Sequence, residues 1–211
     1  MMMDRKSSLL RRTKDYFFPP AVASAAEFKA FVTGEAAYLA QKSVFGYCRV
    51  KTMQDYDKLM GEALFRDGVE ICRWEAYAGT LADTLVLVEG FLRPADPAAR
   101  SRLAGHIATL YPDWLGEHVP PHRSDWTDRA EAFAARFALS RTAEPAQPAQ
   151  VVRDTAALVH DIVPIADRLK RNDREVIYGD LRLHALAMHS QMLKRFDRPA
   201  LVAALTADST D

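Results

Sequence analysis

From Gln54 to Leu92 the chain contains no proline, and its final stretch, Leu81 to Leu92, is apolar almost all the way round a helix. A helix with no polar side has to be surrounded by protein or by lipid. This one carries Asp83 and Glu89 and is shorter than the about twenty apolar residues that a bilayer span needs. The segment therefore predicts the buried central helix of an all-helical domain.

Punctuation elsewhere supports that class. Ser24 with Glu27 is a capping box, opening a helix that can run to about Thr52. A second run carries apolar residues such as Leu64, Ile71, Cys72 and Trp74 inward, with Gly79-Thr80 as the expected break before the central helix. Asp96-Pro97 reads as an N-cap followed by proline at the first helical position, and Tyr111-Pro112 as that helix's end. Ser124 is expected to open a helix bearing Trp126, Phe133 and Phe137. Thr142 to Gln150, with Pro145 and Pro148, reads as a linker and a possible sub-boundary. Beyond it Val152 to Leu169 forms a helix that Pro164 should kink. Asn172 with Glu175 launches the next, and Asp197 with Pro199 the last. There is no sustained strand alternation. The reading is all-α: a single bundle of about seven or eight helices over residues 21–211, preceded by an arm over residues 1–20.

Lys plus Arg and Asp plus Glu are equal at 28 each, so no global field points to nucleic acid. Cys48 and Cys72 lack metal-site spacing and read as reduced, packed thiols of a cytoplasmic protein. The arm has no apolar core of the secretory kind. It offers Arg5, Lys6, Arg11, Arg12 and Lys14, then Tyr16, Phe17 and Phe18, a pattern suited to a partner or to the surface of an anionic membrane.

Chemistry-bearing constellations are sparse. His160-Asp161 echoes the HD dyad of metal-dependent phosphohydrolases, with His118 or His122 and Asp180 available as further ligands. Asp180 also stands one turn before His184 and could orient it as a general base. The plainer readings are an exposed His-Asp pair and a core histidine satisfied by a neighbouring acid. Glu35, Glu62, Glu70, Glu75 and Glu89 lack the Glu-x-x-His spacing of di-iron bundles. Nucleophile-elbow, Walker and dinucleotide motifs are missing, and neither metal nor cofactor is expected. A polar cluster is more promising: Glu35, Tyr38, Lys42 and Arg49 on the first long helix, and Arg73, Trp74 and Glu75 on the second. If these helices pack antiparallel, the cluster is either a small-molecule pocket or a device that fixes helix register.

Phe17-Phe18-Pro19-Pro20, the run Glu35 to Ser43, Tyr47-Cys48-Arg49 and Cys72-Arg73-Trp74-Glu75-Ala76 together resemble small helical proteins of alphaproteobacteria. The resemblance covers mainly the first half and implies a bacterial cytoplasm, with no established activity attached. The expected function is non-catalytic: a helical binding or regulatory protein that engages a small ligand, a protein partner or a second copy of itself. The rivals are an HD-like hydrolase using His160, Asp161, Asp180 and His184, and a peripheral membrane protein held by the arm.

Overall fold

The computed structural model describes residues 20–207. In chain order the helices are α1 (Ala25–Gln41), a π-turn (Lys42–Gly46), α2 (Tyr47–Thr52), a 3-10 turn (Met53–Asp55), α3 (Tyr56–Gly61), α4 (Ala63–Leu92), α5 (Pro97–Gly116), α6 (Thr127–Thr142), α7 (Pro148–Val151), α8 (Arg153–Ile162), α9 (Asp167–Lys170), α10 (Arg174–Arg195) and α11 (Arg198–Thr206). The fold is all-α. No strand occurs among the described residues, and one isolated bridge joins Val22 to Phe196. The arm residues Arg5, Lys6, Arg11, Arg12, Lys14, Tyr16, Phe17 and Phe18 lie outside the described residues.

The central helix is α4, and from Thr80 to Glu89 every residue is buried. Its polar groups are satisfied individually. Thr80 donates its hydroxyl to the Ala36 carbonyl of α1 at 2.8 Å, and Thr84 donates to Thr80 at 2.7 Å. Antiparallel α1 covers one side of α4, with Ala36 at Thr80 and with Ala37 and Ala40 beside Trp74 and Tyr77.

A second side of α4 is shaped by glycine. Gly68, Gly79 and Gly90 recur every eleven residues, which is close to three full turns, so they lie on one face. The segment from Pro145 to Pro164 runs antiparallel along this groove. A methyl at Gly90 would meet Pro145 at 3.1 Å, one at Gly79 would meet Thr155 at 2.7 Å, and one at Gly68 would meet Pro164 at 2.9 Å. The residues read as a linker, 142–150, thus begin a strand of chain seated on the central helix.

A third side is acidic and meets arginines. Asp83 accepts from Arg136 at 2.6 Å and from Thr155 at 2.6 Å. Two turns earlier, Glu75 accepts from Arg129 and Arg123, with His122 at 3.1 Å. Arg129 and Arg136 are seven residues apart on α6 and face acids eight residues apart on α4, about two helical turns in each case. Burial pushes Asp83 up to about 6, because the pull of Arg136 and the Thr155 hydroxyl only partly offsets desolvation. Burial pushes Glu75 up too, but the hydrogen bonds from Arg123, His122 and Arg129 outweigh it and bring the group to about 2. At the far end Glu89 is held by Arg93 at 2.7 Å.

Several boundaries differ from the sequence reading. The break expected at Gly79-Thr80 falls instead at Gly61–Glu62, where ψ of Glu62 turns to 124°. Gly79 is kept for closeness to Thr155, not for flexibility. Helix α5 continues through Pro112 to Gly116, because the turn after it buries Trp114 and Leu115 beside Tyr111. A proline inside a helix costs about 3 kcal/mol, comparable with what burying one or two large side chains returns. Helix α6 opens at Thr127, and α8 ends at Ile162 rather than kinking at Pro164. Asp173, not Asn172, precedes α10. Leu64 and Ile71 face solvent, since Val69, Cys72 and Ala76 form the inward side of that stretch. The capping box at Ser24, the Asp96 cap and the Asp197 cap are all formed.

Candidate functional site

Between α1 and α2 the helix widens into a five-residue π-turn, Lys42–Gly46, in which Ser43 donates to the Ala40 carbonyl at 3.1 Å. Such turns insert a residue into the helical phase and often mark functional sites. Here clefts open on both sides. One, of about 370 Å³, is lined by Tyr38, Gln41, Lys42, Phe45, Gly46, Arg49 and Tyr56. The Lys42 ammonium stands 5.6 Å from the Tyr38 ring centroid, and the Arg49 guanidinium 5.1 Å from that of Tyr56. Both cations are thus steered by aromatic faces, a contact of about 0.5–1 kcal/mol at exposed sites. No Asp or Glu lines this cleft. Gln41 adds an amide, and Phe45 and Gly46 an apolar floor.

The other cleft, of about 400 Å³, is lined by Lys42, Ser43, Gly46, Tyr47, Val50, Lys51, Asp173, Val176, Ile177 and Asp180. Its polar end is already occupied. Lys51 pairs with Asp173, and the Tyr47 hydroxyl donates to the same carboxylate at 2.7 Å. These two bonds hold Asp173 below the usual carboxylate range, while burial and that acceptor push the Tyr47 hydroxyl upward.

The predicted polar cluster is divided among four places. Tyr38, Lys42 and Arg49 share the 370 Å³ cleft. Glu35 sits on another side of α1 with Arg195, in a shallow depression that includes Val22 and Phe31, and burial raises its carboxyl. Arg73 and Trp74 line a slot of about 220 Å³ with Thr33, Ala37, Tyr77 and His118, where Arg73 is engaged by Glu70. Glu75 points into the α5–α6 connection. The cause is helical geometry: three consecutive residues step through about 200° around the axis, so Arg73, Trp74 and Glu75 cannot all face α1. Gln41, Phe45 and Tyr56 were missing from the sequence reading. Gln41 and Phe45 flank Lys42 at one-residue and three-residue spacing, a signal a helical wheel contains, whereas Tyr56 arrives only through the turn at Met53.

The four catalytic candidates are not gathered into one site. His160 has both ring nitrogens engaged, Nδ1 near Asp161 at 3.1 Å and Nε2 donating to the Lys170 carbonyl at 3.0 Å. A nitrogen that donates has no lone pair for a metal. His184 lies on α10 with Asp180 at 3.5 Å and its ring edge-on to Tyr38. His118 lies tilted against Trp74 with ring centroids 6.3 Å apart, and His122 is bound to Glu75. Among the described residues no group of three or more His, Cys, Asp or Glu is placed to hold a metal ion. Cys48 and Cys72 are free and buried, and burial pushes the Cys48 thiol up to about 12. Among the described residues no helix is long and apolar enough to cross a membrane.

No protein-family model, curated protein or solved structure matches the chain.

Proposed function

We propose that the chain is a non-catalytic binding protein whose ligand seat is the cleft of Tyr38, Gln41, Lys42, Phe45, Arg49 and Tyr56, and that it takes a small anionic ligand with a planar apolar body. The observation that carries this reading is the pair of cations, Lys42 and Arg49, on a wall without a carboxylate. Lys42 and Arg49 are exposed and open to a ligand, whereas part-buried cations are consumed internally: Arg93 by Glu89, Arg123 and Arg129 by Glu75, Arg136 by Asp83, and Lys51 by Asp173. Two cations in one concave site without an acid suit a carboxylate or phosphate, and the Tyr38, Phe45 and Tyr56 rings suit a flat body between them.

Equilibrium dialysis of the full-length protein with benzoate, adenosine monophosphate and inorganic phosphate tests the reading. The aromatic anions are expected to bind more tightly than phosphate. A charged hydrogen bond contributes about 1.5–3 kcal/mol, so Arg49→Gln should weaken them by about ten- to a hundredfold. Equal affinity in wild type and in the Lys42→Gln/Arg49→Gln variant would overturn the reading.

A further inference from the structure

The outward face of α10 is apolar. Its inward side is Ile177, Leu181, Ala185, Met188 and Met192, all buried. Directly opposite, Val176, Leu183, Leu186 and Leu193 are 59, 65, 44 and 64% exposed. With Gly179 and Ser190 between them, these residues alternate at three- and four-residue steps, which is the a/d seam of a coiled coil carried through the whole of this 22-residue helix. Exposed leucines scattered singly need no explanation, but a row in heptad register on the face farthest from the core does.

We propose that this seam pairs antiparallel with the same seam of a second copy of the chain, about a two-fold axis passing between His184 and Ala185. In that register Val176 meets Leu193 of the second copy, Gly179 meets its Ser190, and Leu183 meets its Leu186. Each contact recurs by symmetry, and α10 overlaps along its full length. A closed two-fold interface demands this self-complementarity, and the 3-4-3-4-3 step pattern, being its own reverse, supplies it.

The flanking charges select the direction. Antiparallel pairing sets Asp180 beside Lys194 of the second copy, once on each side of the axis. Asp180 is half exposed and holds His184 only at 3.5 Å, so it is open to a second partner. Parallel pairing in the same seam would instead set Glu175 against Asp180 of the second copy twice, and like charges at such flanking positions oppose association. Arg182 faces its own copy across the axis, which weakens the antiparallel pair without redirecting it. The pairing also places Leu193 and Lys194 of the second copy over Val176 and Asp180, at the rim of the 400 Å³ cleft. The inference does not depend on the anion reading of the neighbouring cleft. A single helix-to-helix contact is small beside permanent dimer interfaces, so the association is expected to be reversible and dependent on concentration.

Sedimentation equilibrium of the full chain, 23.6 kDa, over a wide concentration range tests the proposal. The weight-average mass should climb toward twice that of the chain. Leu183→Glu should raise the dissociation constant at least tenfold, with a melting temperature equal to wild type at concentrations where both are monomeric, and Arg182→Gln should lower the dissociation constant. Register is read by oxidation. A Gly179→Cys/Ser190→Cys double variant should form an intermolecular disulfide, while Ser190→Cys alone should not, because in the antiparallel pair the two copies of position 190 lie at opposite ends. An added side chain at Gly179 meets nothing within 4 Å, so that substitution fits the fold. A monomer at every concentration, dimers unaffected by Leu183→Glu, or crosslinking by Ser190→Cys alone would overturn the proposal. So would a monomeric protein that pellets with phosphatidylglycerol vesicles and loses this on Leu183→Glu, since the seam would then face a membrane.

Discussion

Thr155 occupies the space that a side chain at Gly79 would need: a methyl there would stand 2.7 Å from the Thr155 hydroxyl oxygen and 2.9 Å from its methyl. This contact sets how closely α8 approaches the central helix, and with it the reach of the same hydroxyl to Asp83.

Gly79→Ala should therefore destabilise the fold although alanine is the better helix former by about 1 kcal/mol. Overpacking of this kind costs about 1–3 kcal/mol and is expected to win. Gly105, on α5, has nothing within 4 Å of an added methyl, and Gly105→Ala should stabilise instead. Urea unfolding of both variants checks the opposite signs.

Much of the fold was legible because caps and apolar runs are local. Ser24 with Glu27, Asp96 with Pro97, and Asp197 each announce a helix start within four residues, and Leu81 to Leu92 declares its own burial. What failed was non-local. A glycine reads as a break unless the chain that packs on it is known, and Thr155 lies far from Gly79 in sequence. Pro112 reads as a stop unless the burial of Trp114 and Leu115 beyond it is known. Of the candidate site, Lys42 and Arg49 were visible as charges seven residues apart with Tyr38 beside them, but Glu35, one heptad before Lys42, lies in a different depression. Its separation from Arg73, Trp74 and Glu75 was not, because that depends on which side of α4 each neighbour takes. The acids Glu75 and Asp83 and the arginines Arg129 and Arg136 are each about two helical turns apart, at eight and seven residues, yet only the pairing of α4 with α6 makes that likeness meaningful.

Asp83 should make stability fall as pH rises. Folding raises its carboxyl from 3.8 to about 6, chiefly through burial. The folded state thus holds this proton more tightly, and the contribution is full below 3.8 and lost as pH climbs through about 6. At about 1.4 kcal/mol per pH unit the swing is about 3 kcal/mol. Relative to Asp83→Asn, the wild type should gain stability between about pH 7 and about pH 4 in parallel urea titrations. A constant difference would contradict the assignment.

Glu75 should behave in the opposite sense. Its folded value of about 2 lies below 4.5, because the hydrogen bonds from Arg123, His122 and Arg129 outweigh burial. Its contribution is present above 4.5 and lost as pH falls toward 2. Glu75→Gln leaves three partners without their anion and should cost about 3 kcal/mol at neutral pH, more than Arg129→Gln, which leaves Glu75 its other two partners. Thermal melts of the two variants give the order.

Met53 adopts φ 47° and ψ −119° at the exit of α2, a conformation that glycine favours. The side chain is 76% exposed, so nothing in the core holds it there. Met53→Gly should relieve strain of about 1 kcal/mol or more and raise the melting temperature. Met53→Ala should not.

The central claim is that the cations beside the π-turn receive an anion between aromatic rings. It is tested most directly by titrating adenosine monophosphate into full-length protein with isotope-labelled tyrosine and phenylalanine rings and following their NMR shifts. The ring signals of Tyr38, Phe45 and Tyr56 should move together along one saturating curve, with Tyr111, buried against Phe133 at 4.3 Å, unmoved. Saturable shifts confined to Tyr77, which lines the neighbouring slot, or no saturable shift at Tyr38 and Tyr56, would contradict it.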